Sequence, residues 1–289
     1  MAAGDLITDD GQIEWNGLLL GAGTPYGWRE LAGWDDLPGL SSGSAARPGR
    51  HGVWPGRRLA GERTVTFTCL VRAPRAEMGT VVRTLRAATP AGPDETEHPL
   101  VVRTLGETLL AYAQVAGRVI TNDPAFAAGV GRAVVQWACA DPRRYSLAER
   151  TTEIGAPTLG SGLQYPLTYP LDYGTPGSSG WGRLPNAGDT ATGVRMAITG
   201  PCTNPVVINQ TTGRQLQFGI ELARGEVLSV DTHQGTVTLG PADRLYTLTP
   251  MSVPVEDFEL APGENAVAFR AASHSTGSAL TVTWRDAYL

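Results

Sequence analysis

Arginine, histidine and the acid pairs are the residues best equipped for chemistry in this 289-residue chain, and their spacing limits what they can do. Between Gly39 and Gly61 stand Arg47, Arg50, His51, Arg57 and Arg58, with no acid among them. Guanidinium forks suit carboxylates and phosphates. The four arginines therefore form a candidate contact with a neighbouring subunit. Direct contact with DNA is the weaker reading, because phosphate binding recruits denser positive charge and the whole chain carries −5. Asp231-Thr232-His233 offers a possible ligand pair, yet Asp-Thr-His-Gln-Gly is also a good turn between two strands. The four histidines, at 51, 98, 233 and 274, have no metal-ligand spacing to one another or to cysteine. There is no Gly-x-Ser-x-Gly elbow. A Walker-type phosphate loop needs a lysine, and the sequence contains none. Gly129-Val-Gly131 reads as a turn, and the adjacent Glu256 and Asp257 face opposite sides of any strand. The expectation is a protein without catalytic residues, bound metal or cofactor.

Composition narrows the class. Apolar residues make up 42% of the chain, enough for a packed core, so wholesale disorder is not expected. With 36 glycines and 21 prolines and no collagen-like period, the chain should consist of short strands with many turns. The exclusive use of arginine over lysine fits a GC-rich gene. Three cysteines, at 69, 139 and 202, are too few and too scattered for a disulfide framework or a zinc site. They read as buried free thiols of a protein made in a reducing cytoplasm. Residues 1–10 lack the pattern of a secretory signal, and no apolar run approaches eighteen residues, so no membrane insertion is expected.

These side chains need a scaffold, and the pattern for one is mostly β. Residues 12–20 read as a hairpin turning at Asn16-Gly17. Residues 39–61 read as a Gly/Ser/Pro/Arg-rich loop. Thr64–Val71 alternates, with Val65, Phe67, Cys69 and Val71 on one face. Pro74 fits the first turn of a helix whose apolar positions, Met78, Val81, Val82 and Leu85, recur at spacings of three and four; it ends near Thr89-Pro90. Strands follow near 99–104, 108–120 and 131–139. The first domain closes around Asp141-Pro142, since the residue before proline is pushed away from helix. Tyr165-Pro-Leu-Thr-Tyr-Pro-Leu-Asp-Tyr173 suggests an extended, semi-stiff connector. From 186 onward the pattern is strand, turn, strand. Leu216, Phe218, Ile220 and Leu222 point inward, and Leu280, Val282 and Trp284 repeat that phase. The expected fold is mostly β. Residues 1–147 form an N-terminal sandwich or barrel-like domain with one helix, 148–182 a connector, and 183–289 a C-terminal sandwich or jelly roll.

One family has motifs in this order. The series comprises Trp15-Asn-Gly-Leu-Leu-Leu-Gly21, Arg57-Arg-Leu-Ala-Gly61, Asp141-Pro-Arg-Arg-Tyr145, the Tyr-Pro-Leu connector, Asn186-Ala-Gly188, Ile198-Thr-Gly-Pro201, Asn204-Pro-Val-Val-Ile-Asn209, Leu222–Thr232, Leu260–Asn265 and Trp284-Arg285. It resembles the distal tail proteins of siphophages, long-tailed bacteriophages, over nearly the whole chain. The resemblance implies a structural virion protein whose N-terminal domain forms a hexameric ring, with a galectin-like sandwich as the C-terminal domain. It implies a connector between tail tube and baseplate hub at the tail tip. Its partners would be further copies of itself, the tail tube protein and a baseplate hub or tail-associated protein, with tape-measure protein and DNA passing through the channel. The place would be the virion tail, after synthesis in the bacterial host cytoplasm. The rival reading is a glycan-binding adhesion protein, because such sandwiches elsewhere bind sugars. Trp181 in a loop would be the platform, with Asn204 and His233 bonding hydroxyls, while Trp284 falls in phase with the core.

Overall fold

The structure is a computed structural model that describes residues 2–92, 96–121, 123–158, 169, 177–275 and 277–289. The chain divides into two compact units, Met1–Leu147 with Leu289, and Ala148–Tyr288.

In the first unit, β1 (Gln12–Trp15) and β2 (Leu18–Gly21) form the expected hairpin. Its turn holds Asn16 at φ 46° and Gly17 at φ 74°, a pair of positive angles that Asn-Gly adopts readily. After β3 (Tyr26–Ala32) come four short strands, β4 (Leu40–Ser42), β5 (Ala45–Ala46), β6 (Val53–Trp54) and β7 (Arg58–Ala60). The long strands are β8 (Arg63–Arg72), β9 (His98–Thr104), β10 (Glu107–Thr121) and β11 (Val130–Cys139), and β12 (Arg144–Ser146) closes the series. The sheet runs β2-β1-β9-β10-β11-β8-β3, with β12 also on β10. All these pairings are antiparallel. Strand β10 belongs to two halves. Residues 107–113 pair with β9, residues 114–121 pair with β11, and the register shifts between Val115 and Gly117. A bulge bends a strand and raises its twist, which lets one strand turn the corner between two sheets.

The alternation of β8 is realised as expected. Val65, Phe67, Cys69 and Val71 are fully buried, in one core with Ile13, Trp15, Leu100, Val102, Val135 and Trp137. Each large apolar side chain so buried contributes about 1.5–3 kcal/mol. The helix α1 (Met78–Ala88) starts one turn later than Pro74 suggests, because Pro74–Glu77 form a turn whose Pro74 carbonyl accepts from Met78 N. Met78, Val82, Leu85 and Ala88 face the core. Two core aromatics fix the helix by their polar ends: Tyr26 Oη donates to Val81 O at 2.8 Å and Trp15 Nε1 to Ala88 O at 2.9 Å. At its C-terminus Arg118 donates to Arg86 O and Thr89 O, a cation where the helix dipole favours one.

The second unit has two antiparallel sheets over one core. The first runs β13 (Arg150–Gly155), β25 (Ala279–Trp284), β15 (Arg195–Thr199), β20 (Val227–Asp231), β21 (Thr236–Leu239), β22 (Ala242–Asp243). The second runs β14 (Trp181–Asn186), β23 (Gly263–Arg270), β17 (Val206–Asn209), β18 (Arg214–Gln217). A small sheet joins β19 (Glu221–Leu222), β16 (Cys202–Thr203) and β24 (Ser273–His274). Leu216, Phe218, Leu222, Leu280, Val282 and Trp284 share the core, with Trp284 Nε1 donating to Pro185 O. The stretch 148–182, expected as a connector, supplies strands at both described ends. β13 is a polar edge strand that buries only Ile154, so its sequence shows no apolar alternation. The Tyr-Pro-Leu repeat itself lies outside the described residues, apart from Tyr169.

Burial sets the thiol chemistry. It pushes Cys69 up to about 11 and, together with the nearby Glu97 carboxylate, Cys139 up to about 12; Cys202 is also raised by burial. Folded thiols thus keep protons that the unfolded chain releases from its ordinary value upward. Their contribution to stability is complete below that value and is lost as pH rises through 11 and 12. A disulfide-exchange thiol reagent at pH 8 should leave all three cysteines unlabelled in the native protein and label all three in denaturant. Rapid native labelling of any one would contradict the burial described.

Candidate functional site

The stretch 39–61 is not a loop but a two-stranded arm. β4 pairs with β7 and β5 with β6, both antiparallel. Gly61 N donates to Gly39 O, Gly43 N to Arg57 O and Arg47 N to Gly52 O, so one ladder runs from root to tip. Opposed residues shift by one between Ser42–Arg58 and Ala45–Trp54, and Pro55 falls in the shift. Proline has no N–H to give a rung, and a bulge is where a strand tolerates it. Beside it, a Cβ on Gly56 would lie 2.3 Å from Gly43 C, so only glycine lets the strands meet there.

The arm has no core of its own. Leu40, Val53, Trp54 and Leu59 are 42%, 52%, 60% and 52% exposed. Arg50, His51, Arg57 and Arg58 are exposed as well, with Arg50 and His51 at the tip. The half-buried Arg47 guanidinium lies 4.4 Å from the centre of the Trp54 ring, a cation over an aromatic face. An isolated two-stranded hairpin is at best marginal in water. Large apolar groups carried on such an arm are what a binding surface needs and what a free surface avoids.

Its root, by contrast, is fixed. Arg63, 1% exposed, stands just after β7. Its guanidinium donates to Gly33 O, Trp34 O and Asp36 O, each at 2.8 Å, and to Pro142 O at 2.7 Å. Burial first, and then the neighbouring Arg144, push its pKa below the ordinary value. Trp34 is 1% exposed, and Arg144 lies over its ring at 5.8 Å while donating to Asp35 Oδ1 at 2.6 Å. Gly33 completes the root at φ 81°, where a Cβ would lie 1.9 Å from Thr64 O. Nothing in the spacing of the sequence marks Arg63 or Trp34. Their signal is only that each flanks the Arg-rich stretch.

The structure places the three proposed sugar contacts on three separate elements. Trp181 is not in a loop: it opens β14 opposite Ala268, 44% exposed, with Arg183 5.9 Å from its ring. Asn204, at φ 50°, is an exposed turn residue between β16 and β17. His233 sits in the exposed turn between β20 and β21, where Asp231 Oδ1 accepts from His233 N and Gln234 N. That is the Asp-led turn expected from sequence. Among the described residues no group of three His, Cys, Asp or Glu side chains converges to hold a metal, and no helix is long and apolar enough to cross a membrane.

Comparison with known proteins bears on both units. Residues 187–288 match the family model of the siphovirus-type tail component, C-terminal domain. Over those residues the chain is similar to that tail component. No curated protein matches it in sequence. In fold it is similar to the Dit protein of phage SPP1, at 12% identity and a TM-score of 0.64, over 96% of this chain and 99% of that one. It is also similar to a chain of the phage P2 baseplate in its activated conformation with Ca, at 12% identity and a TM-score of 0.50, over 95% and 97%. The sequence match thus covers residues 187–288, while the likeness in fold spans nearly the whole chain.

Proposed function

We propose that the protein is a ring-forming connector of the distal tail, six copies closing around a channel between tail tube and baseplate hub. The observation that carries this reading is the rigidly rooted, acid-free arm with exposed apolar side chains, on a fold shared end to end with SPP1 Dit. The SPP1 protein is described as a paradigm of hub adsorption apparatus in phages infecting Gram-positive bacteria. A closed ring is built from head-to-tail contacts, so every subunit must present two different complementary patches. The arm is one of them, and its role is adhesion between subunits rather than catalysis. The tail tube protein and the hub would take the two faces of the ring, with tape-measure protein and DNA in the channel.

Light scattering on the purified chain, with electron images of the same peak, tests the reading. Annular particles of six subunits are expected. Replacing Arg47, Arg50, Arg57 and Arg58 together by serine should raise the concentration needed for assembly by about tenfold or more, the effect of losing about 1.4 kcal/mol per contact. A chain that stays monomeric at every concentration contradicts the ring, and full assembly of the serine variant removes the arginines from the interface.

A further inference from the structure

The two edges of the arm are chemically different. The outgoing strand, Leu40-Ser-Ser-Gly-Ser-Ala-Ala46, has seven residues with no charge and no proline. The returning strand, Val53-Trp-Pro-Gly-Arg-Arg-Leu-Ala60, carries Pro55, a register shift and two arginines. Proline, bulges and charge are the devices by which proteins close a sheet edge to further pairing. The returning edge has all three and the outgoing edge none.

The ladder supplies the geometry. Antiparallel rungs alternate, and residues between rungs turn their backbone N–H and C=O groups outward. With rungs at Gly39–Gly61, Gly43–Arg57 and Arg47–Gly52, the outward positions of the outgoing strand include Leu40, Ser42 and Ala46. The N–H of Ser44, the remaining member of that row, is taken by Ser42 Oγ at 3.2 Å.

We infer that the arm docks by strand addition: its outgoing edge, Leu40–Ala46, pairs with an edge strand of a second copy of this chain, and the arginines flank that seam. Charge favours a second copy as the occupant. The chain carries −5 in total, so removing the arm's four arginines leaves −9 on everything the arm could meet in another copy. Main-chain pairing gives the affinity, and arginine–carboxylate contacts at the rim set speed and partner choice. The inference rests on the ring-forming reading and specifies how its contact is made.

The test compares prolines on the two edges of the full-length protein. Leu40→Pro with Ala46→Pro removes two outward donors from the outgoing edge; Val53→Pro removes the equivalent donor, opposite Ala46, from the returning edge. All three positions lie between rungs, so the hairpin ladder keeps its bonds. Unchanged melting profiles confirm intact folding, and amide hydrogen exchange of the wild-type assembly provides a second readout free of substitution. The expected result is an assembly midpoint raised by about tenfold or more for the outgoing-edge variant and unchanged for Val53→Pro. In the wild-type ring, exchange at Leu40, Ser42 and Ala46 should slow and that at Val53 should not. If wild type assembles and both variants assemble equally, or exchange at the outgoing edge does not slow, strand addition is overturned while the ring stands. If wild type never assembles, ring and seam fall together.

Discussion

Replacing Arg63 by methionine is expected to lower the melting temperature of the first unit by roughly 10 °C and to expose residues 33–61 to proteolysis. Methionine fills much of the volume but offers no donor. Four carbonyls, those of Gly33, Trp34, Asp36 and Pro142, then lose a charged partner inside the protein. Hydrogen bonds to a charged group are worth about 1.5–3 kcal/mol each, and stranded buried acceptors keep their desolvation cost. The contributions are not additive, because the site relaxes and the charge itself was costly to bury, so a net loss of about 3–5 kcal/mol is expected. At about 2–4 °C per kcal/mol for a domain of this size, that gives the stated shift. Calorimetry and timed digestion measure it. A lysine variant restores one donor direction but not the fork, and should recover less than half of the loss. A methionine variant as stable as wild type would show that the root is held by Trp34 and the β3–β8 pairing alone.

The second large effect is expected at Asn186, in the second unit. This side chain is fully buried and uses all of its bonding capacity. Nδ2 donates to Thr190 O at 2.8 Å and Leu260 O at 3.3 Å, and Oδ1 accepts from Gly188 N at 3.1 Å and Ala287 N at 3.3 Å. One amide thus ties together the Asn-Ala-Gly turn, the isolated bridge of Leu260 with Thr192 and the C-terminal segment. Asn186→Ala leaves two donors and two acceptors without this partner, at a cost of about 3–5 kcal/mol. Amide exchange in β14 and β25 should accelerate by at least about a hundredfold, while exchange in β8 and β11 stays as it was. The neighbouring Gly188 allows no substitute for this arrangement, since a Cβ there would lie 1.8 Å from Ala287 O. Asn186→Ala with unchanged exchange would mean that water enters and replaces the amide.

What the sequence shows depends on which face of an element is buried. β8 was legible because every second residue faces the core, and so were the Asn16-Gly17 turn, helix α1 and the inward row ending at Trp284. The arm was not legible, because a ladder exposed on both sides has no buried face to impose alternation; period two records burial, not pairing. The same reason hid β13, whose six residues bury one side chain. Trp181 reads as a loop residue because the glycines around it, Gly180 and Gly182, obscure the start of β14. The four arginines stood out by composition, but Arg63, which holds the root, could not be told from them. Its role comes from three carbonyls brought together by the chain's return and a fourth from Pro142, far along the sequence.

The ladder and the root of the arm respond differently to force. Tension along the arm's axis is shared by both strands, which do not slide past each other, and it passes to the body through Gly33–Asp36 and Arg63. There the Arg63 guanidinium ties the two legs of the arm to each other and, through Pro142 O, to the body. A sideways pull on the outgoing strand instead opens rungs one after another, starting where Pro55 has already interrupted them. The arm is therefore strong in tension and weak in peeling. In the proposed ring, that mechanical asymmetry would hold a subunit under axial load yet release it when its neighbour tilts.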